Sequence, residues 1–295
     1  MVLSRPANRR RLRCSTRPDR FVTFQHGVHF ISGLPRSGST LLSAVLRQNP
    51  RFHAGMSSPV AGLMLNLQQE MSQRNEGAVF LNDTRRRRIL AGLFEGYYGR
   101  VDPQDVIFDT NRLWCAKLPT LADLFPACRV ICCVRDYAWV VDSIERLMRR
   151  NHLQPSAMFD FNPGGTVFSR TEQLTGPGGM AGYALNALRE AVYSEDSHRL
   201  LLLRYETLTT EPGLAMDAIY DFLGEPGFQH RFDDLQFDDA REFDVRLGSP
   251  GLHDIGREIK PSSRQPVLPP ELFNRLHEST FWTDSKRIPG HIQVV

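Results

Sequence analysis

VHFISGLPRSGST, residues 28–40, decides the fold. Val28–Ser32 is a short β-branched and aromatic run. It stops at Gly33-Leu34-Pro35-Arg36-Ser37-Gly38-Ser39-Thr40, and Thr40–Leu46 (TLLSAVL) continues as an apolar helix start that ends before Asn49-Pro50. Strand, glycine-bearing loop and helix open a βαβ unit. The two glycines are five apart, as in the phosphate-binding pattern GxxxxGK[ST]. Glycine lets the backbone turn sharply, so that successive N–H groups and the helix N-terminus face one anion. A plain Pro-Ser-Gly turn leaves the Arg-Ser-Gly-Ser-Thr cluster unexplained.

One position departs from the nucleotide-kinase pattern. Ser39 stands where the lysine belongs, and the loop's cation is Arg36. Lysine is scarce in this chain (Lys117, Lys260 and Lys286), yet no arginine takes the vacant place either. A kinase uses its lysine and Mg²⁺ to neutralise a triphosphate. A phosphosulfate carries less charge at the transferring group, and an arginine with hydroxyls and backbone amides suffices for it without metal.

Outward from the loop, helices and strands alternate. Residues 59–74 carry Leu63, Leu67 and Met71 four apart and predict an amphipathic helix. Val106–Phe108 predicts a second strand ending at Asp109, Leu118–Phe125 a helix, and Arg129–Val134 (RVICCV) a third strand, apolar throughout as parallel central strands are. Tyr137–Arg150 predicts a helix with Val140, Ile144, Leu147 and Met148 on one face. Residues 155–182, with three prolines and six glycines, read as a loop or lid. Tyr183–Ser194 (helix), Leu200–Leu203 (strand) and Gly213–Leu223 (helix stopped by Gly224) complete the series. The expected architecture is a three-layer α/β/α domain with a mostly parallel central sheet.

Composition sets the frame. The chain has 295 residues, 41% apolar and 23% charged, which fits a globular protein and excludes collagen-like, coiled-coil or disordered classes. Its net charge of +3 is unevenly spread. Residues 1–20 hold seven arginines against Asp19 alone, leaving 29 basic and 32 acidic groups for the remainder. Residues 1–22 are therefore expected to be a basic disordered tail and residues 23–295 a single domain, with no nucleic-acid partner and only local anion sites. The tail lacks the apolar stretch of a secretory signal, and no run of 18 apolar residues predicts a membrane span. Five cysteines (Cys14, Cys115, Cys128, Cys132, Cys133) without zinc-like spacing fit a reducing, cytoplasmic setting. Arg85–Arg88 reads as a solvated helix face. Asp233, Asp234, Asp238 and Asp239 lack the glycine and spacing of a calcium loop.

A second constellation lies about 100 residues after the loop. RVICCV ends at Arg135, and Ser143 sits two turns into the next helix. A cation at such a strand end points into the crevice where open α/β sheets bind ligands. Together the two constellations resemble the sulfotransferase superfamily, which uses 3′-phosphoadenosine 5′-phosphosulfate (PAPS) and releases 3′-phosphoadenosine 5′-phosphate (PAP). PRSGST resembles its 5′-phosphosulfate loop, in the form of tyrosylprotein and Golgi-type members, and RVICCVRDYAWVVDS its 3′-phosphate motif. LLLRYETLTTEP (201–212) with FLG (222–224) resembles its late strand and helix. The resemblance covers roughly residues 28–224, more weakly to about 264. It implies that Pro35, Arg36, Ser37, Gly38, Ser39 and Thr40 hold the phosphosulfate, that Arg135 and Ser143 hold the 3′-phosphate, and that Tyr205 lies beside the adenosine. REIKPSSR, with Arg257 and Lys260, matches the family's C-terminal basic segment. The acceptor it implies is a hydroxyl on a small molecule or peptide, with an amine as the lesser choice.

Sulfuryl transfer needs a cation at the bridging oxygen, which Arg36 supplies, and a base for the acceptor's proton. Tyrosylprotein enzymes carry a glutamate about twenty residues after the loop arginine. HAGMSSPV in this chain has no carboxylate there. His53, His253 and Asp109 are the candidates, and a phenolic or otherwise acidic acceptor lessens the need. Two other classes stay open: a P-loop kinase or NTPase using Mg-ATP, with Asp109 ending a Walker-B-like strand, and a non-catalytic nucleotide-binding protein.

Overall fold

The computed structural model describes residues 27–295 apart from 100, 103, 163, 238–240 and 262. The expected tail at 1–22, Cys14, Asp238 and Asp239 lie outside the described residues. Six parallel strands among the described residues form one sheet: β1 (Gly27–Gly33), β2 (Phe52–Ala54), β3 (Val106–Thr110), β4 (Val130–Val134), β5 (Leu200–Arg204) and β6 (Gln293–Val294), in the order β2-β3-β1-β4-β5-β6. Among the described residues eleven α-helices surround it: α1 (Ser39–Leu46), α2 (Val60–Glu70), α3 (Asp83–Tyr98), α4 (Leu118–Leu124), α5 (Tyr137–Arg150), α6 (Val167–Thr175), α7 (Met180–Val192), α8 (Tyr205–Thr210), α9 (Pro212–Leu223), α10 (Arg241–Arg246) and α11 (Pro270–His277). This is the three-layer α/β/α arrangement that the alternating pattern predicts.

The continuous apolar strands feed two cores. Successive strand side chains point to opposite faces. Phe30, Val130, Cys132, Leu200 and Leu202 therefore meet α2, α3, α4, α5, α7 and α11 on one side. Ile31, Ile131, Cys133, Leu201 and Leu203 meet α1, α8 and α9 on the other. Each fully buried aliphatic side chain of this kind contributes roughly 1.5–3 kcal/mol. A strand covered on both faces has no polar side, which is why RVICCV shows no alternation. Cys132 and Cys133 are fully buried and serve as small apolar groups.

Residues 155–182 are not a bare loop. They contain α6, whose start is fixed by a capping box between Thr166 and Ser169, and the beginning of α7. The glycines that suggested a loop instead allow close packing. A Cβ on Gly182 would lie 2.1 Å from the Gly176 carbonyl oxygen, so α7 can begin directly against the end of α6. The Arg170 guanidinium holds the buried Glu145 of α5 through two bonds of 2.9 and 2.7 Å, fastening α6 to the body.

Candidate active site

Four strand ends meet at one cleft of about 980 Å³. The β1 end supplies residues 33–36 and Gly38, β3 supplies Thr110, Asn111 and Arg112, β4 supplies Arg135, and β5 leads into Tyr205. From β1 the strand order runs through β3 to one edge and through β4 to the other. Such a switch point opens a crevice at the carboxyl ends of the strands.

The loop is held rigidly. Gly33 has φ +103°, and a Cβ there would lie 2.2 Å from the Cys133 carbonyl oxygen. Only glycine permits β1 and β4 to run this close. Leu34 N donates to that same carbonyl at 2.9 Å, and the Ser37 hydroxyl is shared between the carbonyls of Cys133 (2.8 Å) and Leu34 (2.5 Å). The Ser37 side chain thus ties the loop to β4. It is 1% exposed and does not line the cleft. Arg36 adopts φ +58°, a left-handed conformation costly for a non-glycine residue. Gly38 precedes α1 at φ +97°, and no side chain caps that helix. Its first-turn N–H groups remain available to an anion. The hydroxyls of Ser39 and Thr40 also have no hydrogen-bond partner among the described residues. At α5, by contrast, Asp136 accepts from Ala138 N and Trp139 N. Of these two N-termini, only that of α1 is open.

The second constellation joins the first directly. Arg36 Nε donates to Ser143 Oγ at 3.1 Å, and Arg135 donates to the Arg36 carbonyl at 3.3 Å. The Arg135 guanidinium lies 4.1 Å above the centre of the Tyr205 ring, and its buried Nε lacks a hydrogen-bond partner among the described residues. Burial, reinforced by Arg135's charge, lowers the Arg36 pKa to about 10, so it stays cationic at neutral pH. Burial also lowers Arg135.

The C-terminal segment enters differently from expectation. Arg257 does not line the cleft. It is largely exposed and paired with Asp234 at 2.8 Å. Lys260 does line the cleft but lies beside Glu258 at 3.3 Å. The cation that interacts with Arg135 and Arg36 is Arg264, which does not itself line the cleft: its charge adds to the lowering of the Arg36 pKa, and its own pKa is lowered by burial first and by Arg135 as well. Arg264 Nη2 lies 3.2 Å from Asp142 Oδ2, and Asp142 Oδ1 accepts from Val267 N and Leu268 N. A fully buried aspartate on α5 therefore anchors the incoming strap. Of the three cations in REIKPSSR, Lys260 lines the cleft and Arg257 and Arg264 do not; nothing in that irregular segment sets a period from which this could be read.

The three base candidates separate. His53 sits exposed on the edge strand β2, where Nε2 meets Asp105 at 2.7 Å, and it does not line the cleft. Asp109 does not line it either. The Asp109 carboxylate is fully buried and accepts from Ser58 Oγ (2.6 Å), Tyr98 OH (2.6 Å) and Trp114 Nε1 (2.8 Å). Burial raises its pKa despite these donors. Asp109 shapes the cleft wall from behind, holding Ser58 beside Met56 and Ser57. His253 does line the cleft. Its Nδ1 meets Asp244 Oδ1 at 2.5 Å, and its backbone N donates to Asp244 Oδ2 at 2.9 Å. Asp244 and Arg112 were not singled out in the sequence, since neither belongs to a spaced motif. Arg112 lines the cleft with no ion-pair partner among the described residues, and burial among protein atoms lowers its pKa.

The donor set fits a nucleotide with two anionic groups: an open helix N-terminus, three arginines (Arg36, Arg112 and Arg135) lining the cleft with the charge of Arg264 nearby, and a buried Arg135 Nε without a hydrogen-bond partner among the described residues. The family model described as the sulfotransferase family matches residues 29–230. Protein-tyrosine sulfotransferase A of Caenorhabditis elegans is 24% identical over 203 residues, covering 67% of this chain and 50% of that protein. The chain thus spans about half that relative's length. The sulfotransferase domain from the curacin biosynthetic pathway superposes with a TM-score of 0.53 at 17% identity, covering 86% of this chain and 96% of that one, and supports the fold.

Proposed function

The chain belongs to the sulfotransferase family, and from that premise we propose that it transfers a sulfuryl group from PAPS to a hydroxyl acceptor. The observation that carries the reading is the chain of contacts from Arg135 to the Arg36 backbone and from Arg36 to Ser143. It couples the loop suited to a phosphosulfate with the motif suited to a 3′-phosphate, so both ends of one nucleotide meet a single rigid unit. When bound, PAPS supplies sulfur already attached to a phosphate leaving group. Arg36 and the α1 N–H groups meet charge that builds on the bridging oxygen, and Arg112 adds a second cation to the same cleft. Arg135 and Arg264 hold the 3′-phosphate, and Tyr205 flanks it. The acceptor is a small molecule or a peptide that enters beside α6, which contributes Glu172 and Gln173 to the cleft wall.

The kinase reading loses its metal ligand. Asp109 would have to hold Mg²⁺, yet its carboxylate is enclosed by three donors and lies outside the cleft. The four described cysteines are buried free thiols, which supports a reducing, cytoplasmic setting. No helix among the described residues is long and apolar enough to cross a membrane. The test is calorimetry. PAP binding that is weakened by Arg36→Ala and by Arg135→Ala is expected, whereas tight Mg-ATP binding without PAP binding would overturn the assignment.

A further inference from the structure

The expected glutamate is absent, and the proton taken from the acceptor needs another destination. We infer that His253, oriented by Asp244, is the general base of the reaction and that Asp244 is its positioning residue. The inference rests on the sulfotransferase reading of the cleft and adds to it the groups that handle the proton.

Three observations carry it. First, of the three candidates only His253 faces the cleft. Second, Asp244 is 1% exposed and grips His253 at both Nδ1 and the backbone N, while the Phe243 ring meets the imidazole edge to face at 5.6 Å. A carboxylate at Nδ1 fixes the neutral tautomer with its proton there, leaving the Nε2 lone pair bare. Nε2 has no hydrogen-bond partner among the described residues. Third, the unit is built rather than draped. Ser249 N donates to the Asp244 carbonyl at 2.9 Å, Ser249 Oγ meets the buried Ser156 Oγ at 2.6 Å, and Asn151 Nδ2 donates to the Pro250 carbonyl at 2.9 Å. The turn after α10 is thereby fastened to the end of α5, the helix that also carries Ser143.

The charged groups around the imidazole set its protonation. Burial opposes the imidazolium most strongly, Asp244 favours it, Arg36 and Arg112 oppose it further, and the net effect is a pKa below the usual histidine value. His253 is therefore neutral at physiological pH. In the step itself, the hydroxyl proton passes to Nε2 as the acceptor oxygen bonds to sulfur. The bond from sulfur to the bridging oxygen breaks, and its electron pair leaves on the 5′-phosphate of PAP. The imidazolium then gives its proton to water. Asp244 stabilises that imidazolium, as Arg36 stabilises the leaving oxygen.

The test compares wild type, His253→Ala, His253→Gln and Asp244→Asn, using PAPS with 2-naphthol and with a long-chain alcohol. PAP affinity measured by calorimetry reports whether each variant keeps its site. The histidine variants are expected to keep PAP affinity within about threefold and to lose about 10²–10⁴-fold in kcat, more for the alcohol than for the more acidic naphthol. Added imidazole should restore part of the His253→Ala activity. In Asp244→Asn the His253 pKa, followed by NMR in the free protein, should fall, and the acid limb of the rate profile should move to lower pH with it. A purely structural aspartate would move neither. Retention of kcat within threefold in both histidine variants, or an unmoved His253 pKa in Asp244→Asn, would overturn the inference and leave the sulfotransferase reading standing. Failure of the wild type to bind PAP would overturn both.

Discussion

Arg36 Nε rests 3.1 Å from Ser143 Oγ, a contact between residues 107 positions apart in sequence. It fixes the direction in which the loop's cation points, because Arg36 has already been turned into a left-handed backbone conformation. Arg36→Lys keeps a charge but loses the planar fork that bonds Ser143 and a ligand together. PAP affinity should fall about 10–100-fold in Arg36→Lys and Arg36→Ala, the value of one or two charge-assisted hydrogen bonds. Ser143→Ala should cost less, about threefold to tenfold. Calorimetry at fixed ionic strength reads both.

Gly33 is a packing requirement. A methyl group there would enter the Cys133 carbonyl, and φ +103° is strained for any other residue. Gly33→Ala should destabilise the fold by about 3 kcal/mol or more, whereas Gly213→Ala, with open space around the added carbon, should stay within about 0.5 kcal/mol. Denaturant titration of the two variants distinguishes them.

Arg264 and Arg257 should behave oppositely. Arg264→Ala removes a cation beside Arg135 and leaves the buried Asp142 with less compensation. It should weaken PAP binding about tenfold and lower stability by about 1–3 kcal/mol. Arg257→Ala breaks an exposed pair and should change neither measurably. An equal loss of PAP affinity in both variants would contradict the placement of the strap.

His29 adds a pH dependence to the fold. Its ring is buried, Nδ1 accepts from Arg129 N at 3.1 Å, and burial, with Arg129 second, lowers its pKa from 6.5 to about 4. The unfolded chain takes up the proton first. Stability from this group is thus intact above about pH 6.5, declines as pH falls toward 4, and is constant below that. The loss is roughly 3 kcal/mol over the window. His29→Asn, which retains an acceptor but does not titrate, should flatten this part of a stability profile measured by urea unfolding.

The central strands and the loop were legible because each states its surroundings locally: continuous apolar runs for strands covered on both faces, and glycines at two of the loop's three positive-φ positions, Arg36 being the third. Short edge strands were not. Phe52–Ala54 and Gln293–Val294 are defined by pairing with a neighbour rather than by their own residues. Helix α6 was hidden by glycines and prolines, since composition does not distinguish a flexible glycine from one that lets two helices touch. At the site, Arg36 and Arg135 follow strand ends and could be read from position. Asp244 and Arg264 do not line the cleft and are set beside it by distant partners: Asp244, on the short helix α10, through the turn held by the Ser156–Ser249 contact, and Arg264, in an irregular segment, through Asp142.

The size of the cleft has a kinetic consequence. Small-molecule sites run from roughly 300 to 1,000 Å³, and one of about 980 Å³ stands at the upper end of that range. A nucleotide seated at the arginine end leaves the His253 end open to a second molecule. Donor and acceptor can then be present together, and direct exchange between them needs no sulfated enzyme intermediate. Initial rates measured against both substrates should give intersecting lines in a double-reciprocal plot, not the parallel lines of a ping-pong mechanism.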